Sequence, residues 1–324
     1  MPNPFAAVAA RFQPSARTVR IAALSSVVMT VIIVVSGGVV RLTGSGLGCP
    51  TWPQCTAGDL APTGAMGVHG IIEFTNRLLT YPLCAAVGWT ILAARARSPW
   101  RHELTRLGWL QFWVVVLNAV VGGLSVLSRL NPFMVAAHFV AAMLLLVAAV
   151  ITWERTREGD APARPLVPPP VRTLTWILIG TVTALTLVGT AVTGTGPHAG
   201  DSSAVQRMPF DWDEVTQLHA DLVWLTCGLA VALVLVLRAV KAPAAARARV
   251  RDVLIMIGLQ GVIGYVQYFL HLPEGVVMMH LAGASLLWIA VLRVPFALRD
   301  RGTVPEAVDV SVADEAETVA ATGR

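Results

Sequence analysis

The chain has 324 residues, of which 55% are hydrophobic and only 13% charged. That much apolar surface cannot be hidden in one water-soluble core, so the composition excludes an ordinary soluble enzyme and points to a membrane protein. The net charge of +5 is explained by the sidedness of the arginines described next, and gives no reason to invoke nucleic acid.

In chain order, apolar stretches of spanning length fall at 21–40, 70–94, 107–127, 133–152, 173–192, 217–237, 253–270 and 276–297. They predict an all-α membrane protein of eight transmembrane helices. Arginines crowd residues 1–20, the segments after spans two, four and six, and the stretch past 297, whereas the alternate loops hold only Arg41, Arg129 and Arg207. Basic residues near helix ends stay in the cytoplasm, so both termini are expected there. One lysine against many arginines suits a GC-rich bacterial genome, hence a multi-pass protein of the bacterial cell membrane. The first apolar run lacks a small-residue cleavage site behind it, so it reads as a span and not as a signal peptide.

The first outer loop contains "RLTGSGLGCPTWPQC". Cys49 and Cys55 would lie there in an oxidising compartment where a disulfide persists; two unrelated thiols is the other reading. Span two opens with "HGIIEFTNRLL", which places His69, Glu73 and Asn76 on one helical face and Arg77 four residues after Glu73. Glu73 is the only carboxylate well inside a predicted span. It either pairs with Arg77 or acts as an acid or base beside a reacting centre.

The chain repeats itself. Residues 117–145 match 259–287 at an offset of 142, which sets Gly122 against Gly264, Asn118 against Gln260 and His138 against His280. "TGSG" at 43–46 returns as "TGTG" at 193–196. Two copies of a four-helix unit in the same orientation follow, 21–153 and 172–298. A charged, Pro-rich cytoplasmic linker, 154–171, joins them, and a disordered cytoplasmic tail is expected over 299–324.

Seven histidines are present. His102 and His271 read as loop residues. His138 and His280 lie roughly 7 Å inside the outer ends of spans four and eight, and His219 enters span six at a similar level. Polar side chains at such depth face a bundle interior. They either make interhelical hydrogen bonds or, as facing imidazoles in a four-helix bundle, grip a haem iron through both axial positions. Zinc suits the His219 and His280 pair less well, because no third or fourth Cys, Asp or Glu joins it.

Taken in order, "RLTGSGLGCPTWPQC", "HGIIEFTNRLL", "NAVVGGLSVL" followed by His138, "VTGTGPHAGD", and then His219 and His280 resemble the haem A synthase family, over about residues 20–297. The resemblance implies two pseudosymmetric four-helix bundles. It implies that the C8 methyl of haem O is oxidised to a formyl group by successive hydroxylations, giving haem A for cytochrome oxidase assembly. Haem O, made by a farnesyltransferase, would occupy the amino-terminal half, and a haem b in the carboxy-terminal half would pass electrons from an unidentified donor.

By the same resemblance His219 and His280 carry over as haem b ligands, His138 as a ligand of the substrate iron, and Glu73 as the catalytic carboxylate. Cys49 and Cys55 match the family's outer-loop pair, which would close a lid over the amino-terminal pocket. Arg41 is expected at a haem propionate or as an ordinary interfacial arginine, and His198 at a propionate or in a loop contact. One position departs from the pattern: members commonly carry a His three residues after this Glu, where the chain has Asn76. Either His69 takes over as iron ligand, or the substrate iron keeps an open face. The competing reading is a dihaem b-type membrane electron carrier between quinol and an outer acceptor.

Overall fold

A computed structural model describes residues 13–201, 203 and 205–306. Its helices are α1 (Ala16–Leu42), α2 (Gly67–Leu78), α3 (Thr80–Ala96), α4 (His102–Leu127), α5 (Pro132–Arg155), α6 (Pro169–Thr195), α7 (Trp212–Ala239), α8 (Ala244–Phe269) and α9 (Glu274–Ala297). With α2 and α3 counted as one span, eight are long and apolar enough to cross a membrane, and the protein is a multi-pass membrane protein. The second span breaks at Leu79 for a local reason. Pro82 has no N–H to give the Leu78 carbonyl and its ring crowds that carbonyl, so the ladder is interrupted there.

Helix starts are fixed by side chains that satisfy the first free N–H groups. Ser15 accepts from the Thr18 amide ahead of α1, Asn131 from Phe133 ahead of α5, and Asp211 from Asp213 and Glu214 ahead of α7.

The repeat is present in the backbone. The turns between α4 and α5 and between α8 and α9 each place two consecutive residues in the left-handed region: Arg129 and Leu130 at φ 53° and 58°, His271 and Leu272 at 59° and 62°. Leu130 N donates to Ser125 O at 2.8 Å and Leu272 N to Gln267 O at 2.7 Å, so the same turn is built twice.

In each half the spans pack as a ring. The first half runs α1, α3, α4, α5 and back to α1; the second runs α6, α7, α8, α9 and back to α6. The backbones of the diagonal pairs, α3 with α5 and α7 with α9, stay apart, and the space between them is left to side chains. The halves are not separate domains in the packing sense. Val27 and Val34 of α1, Leu146 and Val150 of α5, Leu178 and Val182 of α6, and Leu287 and Val291 of α9 belong to one continuous apolar core. Trp288 Nε1 donates across it to the Met143 carbonyl at 3.3 Å.

One end of the bundles carries the cysteine loop (the disulfide side); the other carries both described ends of the chain (the linker side). On the linker side the segment expected to be a free linker is pinned. Arg155, 2% exposed, pairs with Glu103 at 2.5 Å and with Glu158 at 2.7 Å, and Glu158 also holds Arg299 at 2.8 Å. A two-residue antiparallel pairing joins β1 (Arg164–Pro165) to β2 (Arg299–Asp300). The tail expected to be disordered from 299 is thus ordered as far as 306, because its first residues complete this strand pair and its arginines meet the carboxylates of Glu158 and Glu103. Residues 307–324 lie outside the described residues.

Candidate functional site

In the carboxy-terminal half α7 and α9 stand diagonally across their ring, and each sends one imidazole into the space between them. The His219 and His280 ring centroids are 6.4 Å apart, with planes inclined at 66°. Two nitrogens bonded to one metal at about 2 Å each, with roughly 1 Å more to each ring centre, put the centroids about 6 Å apart. The observed spacing is close to that distance, and it also falls in the range of an edge-to-face aromatic pair.

Glycines make room for the rings. A Cβ at Gly189 of α6 would stand 3.2 Å from the His219 ring, and one at Gly264 of α8 would stand 3.7 Å from the His280 ring. The Nδ1 of His280 is buried without a hydrogen-bond partner, an unfavourable state for a polar atom at membrane depth, whereas the His219 ring lies beside the Leu185 carbonyl of α6. Among the described residues no group of three or more His, Cys, Asp or Glu is gathered to hold a metal ion. A pair of axial imidazoles is the donor set of a porphyrin iron, whose remaining ligands come from the macrocycle.

The amino-terminal half holds half of this arrangement. His138 on α5 packs on Gly122 of α4 so closely that a Cβ there would lie 2.8 Å from its ring, which lies beside the Asn118 carbonyl one turn earlier on α4. Among the described residues no second imidazole faces it. His69, at the start of α2, is exposed and its Nδ1 is bound to the Ser45 hydroxyl at 2.9 Å. Asn76 is half-buried, and its Oδ1 accepts from the Ser36 hydroxyl of α1 at 2.6 Å.

Glu73 is 4% exposed. Its Oε2 accepts from the Cys49 amide at 2.6 Å, and its Oε1 pairs with Arg77 at 2.5 Å. The remaining Arg77 donors reach the loop: Nη1 donates to Thr51 O at 3.1 Å and Gln54 O at 3.2 Å, and Nη2 to Cys49 O at 2.9 Å. The ion pair considered from the sequence is formed, and it does more than join two side chains. It ties the cysteine loop to α2 through three carbonyls and one amide.

Cys49 and Cys55 are joined by a disulfide. Gly48 lies directly against the backbone of His69 and Gly70, where any Cβ would collide. Trp52 lies against Gly123, one residue beyond the glycine under His138, so that a Cβ at Gly123 would come within 2.5 Å of the indole. The loop thus lies over the disulfide-side end of the amino-terminal bundle.

The two glycine-rich loops hold each other. Gly46 N donates to Gly200 O at 2.7 Å, beside a bridge between Ser45 and Asp201. Arg41 crosses between halves, its Nε donating to His198 O and its Nη2 to Thr193 O, both at 2.8 Å. The His198 ring hydrogen-bonds the Leu272 carbonyl at 3.0 Å, a contact between loops. Beside them a cleft of about 680 Å³ is lined by Arg207, Trp212, Tyr268, Phe269 and His271.

Ser36, Trp52 and the loop-binding role of Arg77 escaped the sequence reading. A serine inside an apolar span was the available signal for the first; the other two depend on how the loop folds back.

The family model for COX15-CtaA, cytochrome oxidase assembly protein, matches residues 20–292. A protein named heme A synthase from Staphylococcus epidermidis is 25% identical over 61% of this chain and 64% of its own length. One of the same name from Staphylococcus haemolyticus is 26% identical over 62% and 66%, and one from Lysinibacillus sphaericus is 31% identical over 43% and 46%. The chain thus spans less than two thirds of the length of these relatives.

Proposed function

Because the chain belongs to the COX15-CtaA family of cytochrome oxidase assembly proteins, we propose that it is a haem A synthase. On this reading it oxidises the C8 methyl of haem O through an alcohol to a geminal diol, which loses water to leave the formyl group of haem A. The observation that carries the reading is the pair of imidazoles, His219 and His280, at 6.4 Å across the diagonal of one bundle, with a third, His138, in the matching place of the other.

His219 and His280 hold a haem b, which when bound supplies one-electron transfer. His138 orients the substrate haem, and the Cys49–Cys55 loop with Trp52 keeps bulk water from it. Glu73 is the catalytic carboxylate: two hydrogen-bond donors fix its oxygens, and the lone pairs left over take up a proton at a defined position. Arg41 and His198 support the pocket from the loops and so act as positioning residues. The basic linker side lies in the cytoplasm with both termini, so both haem sites sit near the outer face. Haem O reaches the protein from the farnesyltransferase that makes it, and the product goes to cytochrome oxidase.

The test is pigment extraction from purified protein, with mass analysis separating haem b, haem O, the hydroxylated intermediate and haem A. Wild-type protein is expected to yield haem b together with the haem O series. Glu73→Gln is expected to retain haem b and stop at haem O, and normal accumulation of haem A in that variant would remove Glu73 from catalysis. Two permanent haems b in protein from cells lacking haem O would instead mark an electron carrier.

A further inference from the structure

The two halves are built to one plan, and they differ in what stands opposite the imidazole they share. Helix ends give the register. Ala96 ends α3 and Ala239 ends α7, and the same spacing separates Asn76 from His219. Beside these two positions pack Ser36 of α1 in one half and Gly189 of α6 in the other. Contacts agree with the register. Gly189 packs on the His219 ring in one half, and Ser36 hydrogen-bonds Asn76 in the other. Opposite them His280 rests on Gly264 and His138 on Gly122. Three of the four imidazole positions are therefore filled by His, and the fourth is an amide braced by a hydroxyl.

His69 is not in that position. It lies seven residues before Asn76, about 10 Å along the helix axis, and its Nδ1 is bound to Ser45. A larger group at the fourth position is also accommodated differently: where Gly189 leaves room for a ring, Ser36 supplies a hydroxyl, which fits a short polar side chain.

Resting on the haem reading above, we propose that Asn76 stands in place of the second imidazole of the amino-terminal half. The haem bound there has one protein ligand, His138, and turns its other face towards the Asn76 amide. An amide is a poor iron ligand, but it is a good hydrogen-bond partner for a small molecule on that face. Ser36 holds Oδ1, and Asn76 Nδ2 has no partner among the described residues. Asn76 is thus a positioning residue for the oxidising ligand, and the asymmetry separates the two roles. The half with two imidazoles is closed to small ligands, as suits electron transfer, whereas the half with one is open, as suits chemistry on its own substrate.

The experiment is carbon monoxide binding to reduced, purified full-length protein loaded with iron porphyrin in both halves, with loading confirmed by extraction. Wild type is expected to bind carbon monoxide at one of its haems and leave the other low-spin and inert. Asn76→His should convert the reactive haem to a low-spin form and abolish its carbon monoxide spectrum without changing the other haem. His69→Ala should leave carbon monoxide binding as in wild type. If Asn76→His does not accumulate, Asn76→Leu serves in its place, with carbon monoxide still bound but its stretching frequency shifted by loss of the amide. Two carbon monoxide-inert haems in wild type, or reactivity that appears only in His69→Ala, would overturn the proposal while leaving the haem reading intact. Protein that takes up no porphyrin at all sinks the haem reading itself.

Discussion

At the scale of single residues, the three half-buried imidazoles differ in how tightly a glycine backs them, and this gives a graded test. A methyl added at Gly122 would meet the His138 ring at 2.8 Å, whereas one added at Gly264 would meet the His280 ring at 3.7 Å, an ordinary contact. Gly122→Ala is therefore expected to push His138 out of place, at an overpacking cost of about 1–3 kcal/mol, and to lower the pigment of the amino-terminal half. Gly264→Ala should leave the haem b content unchanged; haem stoichiometry of the two purified variants checks the contrast. These histidines and glycines were legible in the sequence because the 142-residue repeat puts both pairs in register. The Ser36–Asn76 pair was not, because nothing in the repeat says which residue of the first span meets Asn76.

At the scale of elements, the cysteine loop is held by two devices of different strength. The disulfide closes a short loop and contributes about 2 kcal/mol by the chain-entropy model. Arg77 binds three loop carbonyls and the buried Glu73 carboxylate, and its removal would leave that carboxylate with one hydrogen-bond donor. Breaking a buried pair in this way costs about 3–5 kcal/mol. Arg77→Met is thus expected to lower the thermal stability of the detergent-solubilised protein more than Cys49→Ser with Cys55→Ser. A larger drop for the double cysteine variant would contradict this ranking. The spans themselves were readable to within about five residues at their ends, except that α8 begins nine residues before the expected 253, because its first two turns carry the arginines that hydropathy excludes. The break at Leu79 follows from Pro82, a signal present in the sequence but invisible to a hydropathy reading. The reach of Arg77 was not readable, because it depends on a loop that folds back onto its own helix.

At the scale of the whole molecule, the linker side is a brace and not a flexible tether. Arg155 joins α4 to the segment after α5 and, through Glu158, to Arg299 beyond α9. Arg155→Met would remove the buried cation shared by Glu103 and Glu158 and leave them only Arg301 and Arg299, and an early-melting species is expected in differential scanning of the detergent complex. The repeat and the sidedness of charge announced two halves, but not that α1, α5, α6 and α9 would share one apolar core, since apolar spans facing lipid and apolar spans facing protein have the same composition. The order of residues 299–306 was hidden for a related reason: a charged, aromatic-poor segment looks solvated until its partners are in place.

The account as a whole depends on His219 and His280 gripping one iron from opposite faces, and electron paramagnetic resonance of the oxidised, purified protein tests this most directly. A low-spin signal of bis-imidazole type is predicted, lost in both His219→Ala and His280→Ala while the haem of the amino-terminal half is retained. The same low-spin signal surviving in either variant would contradict the account.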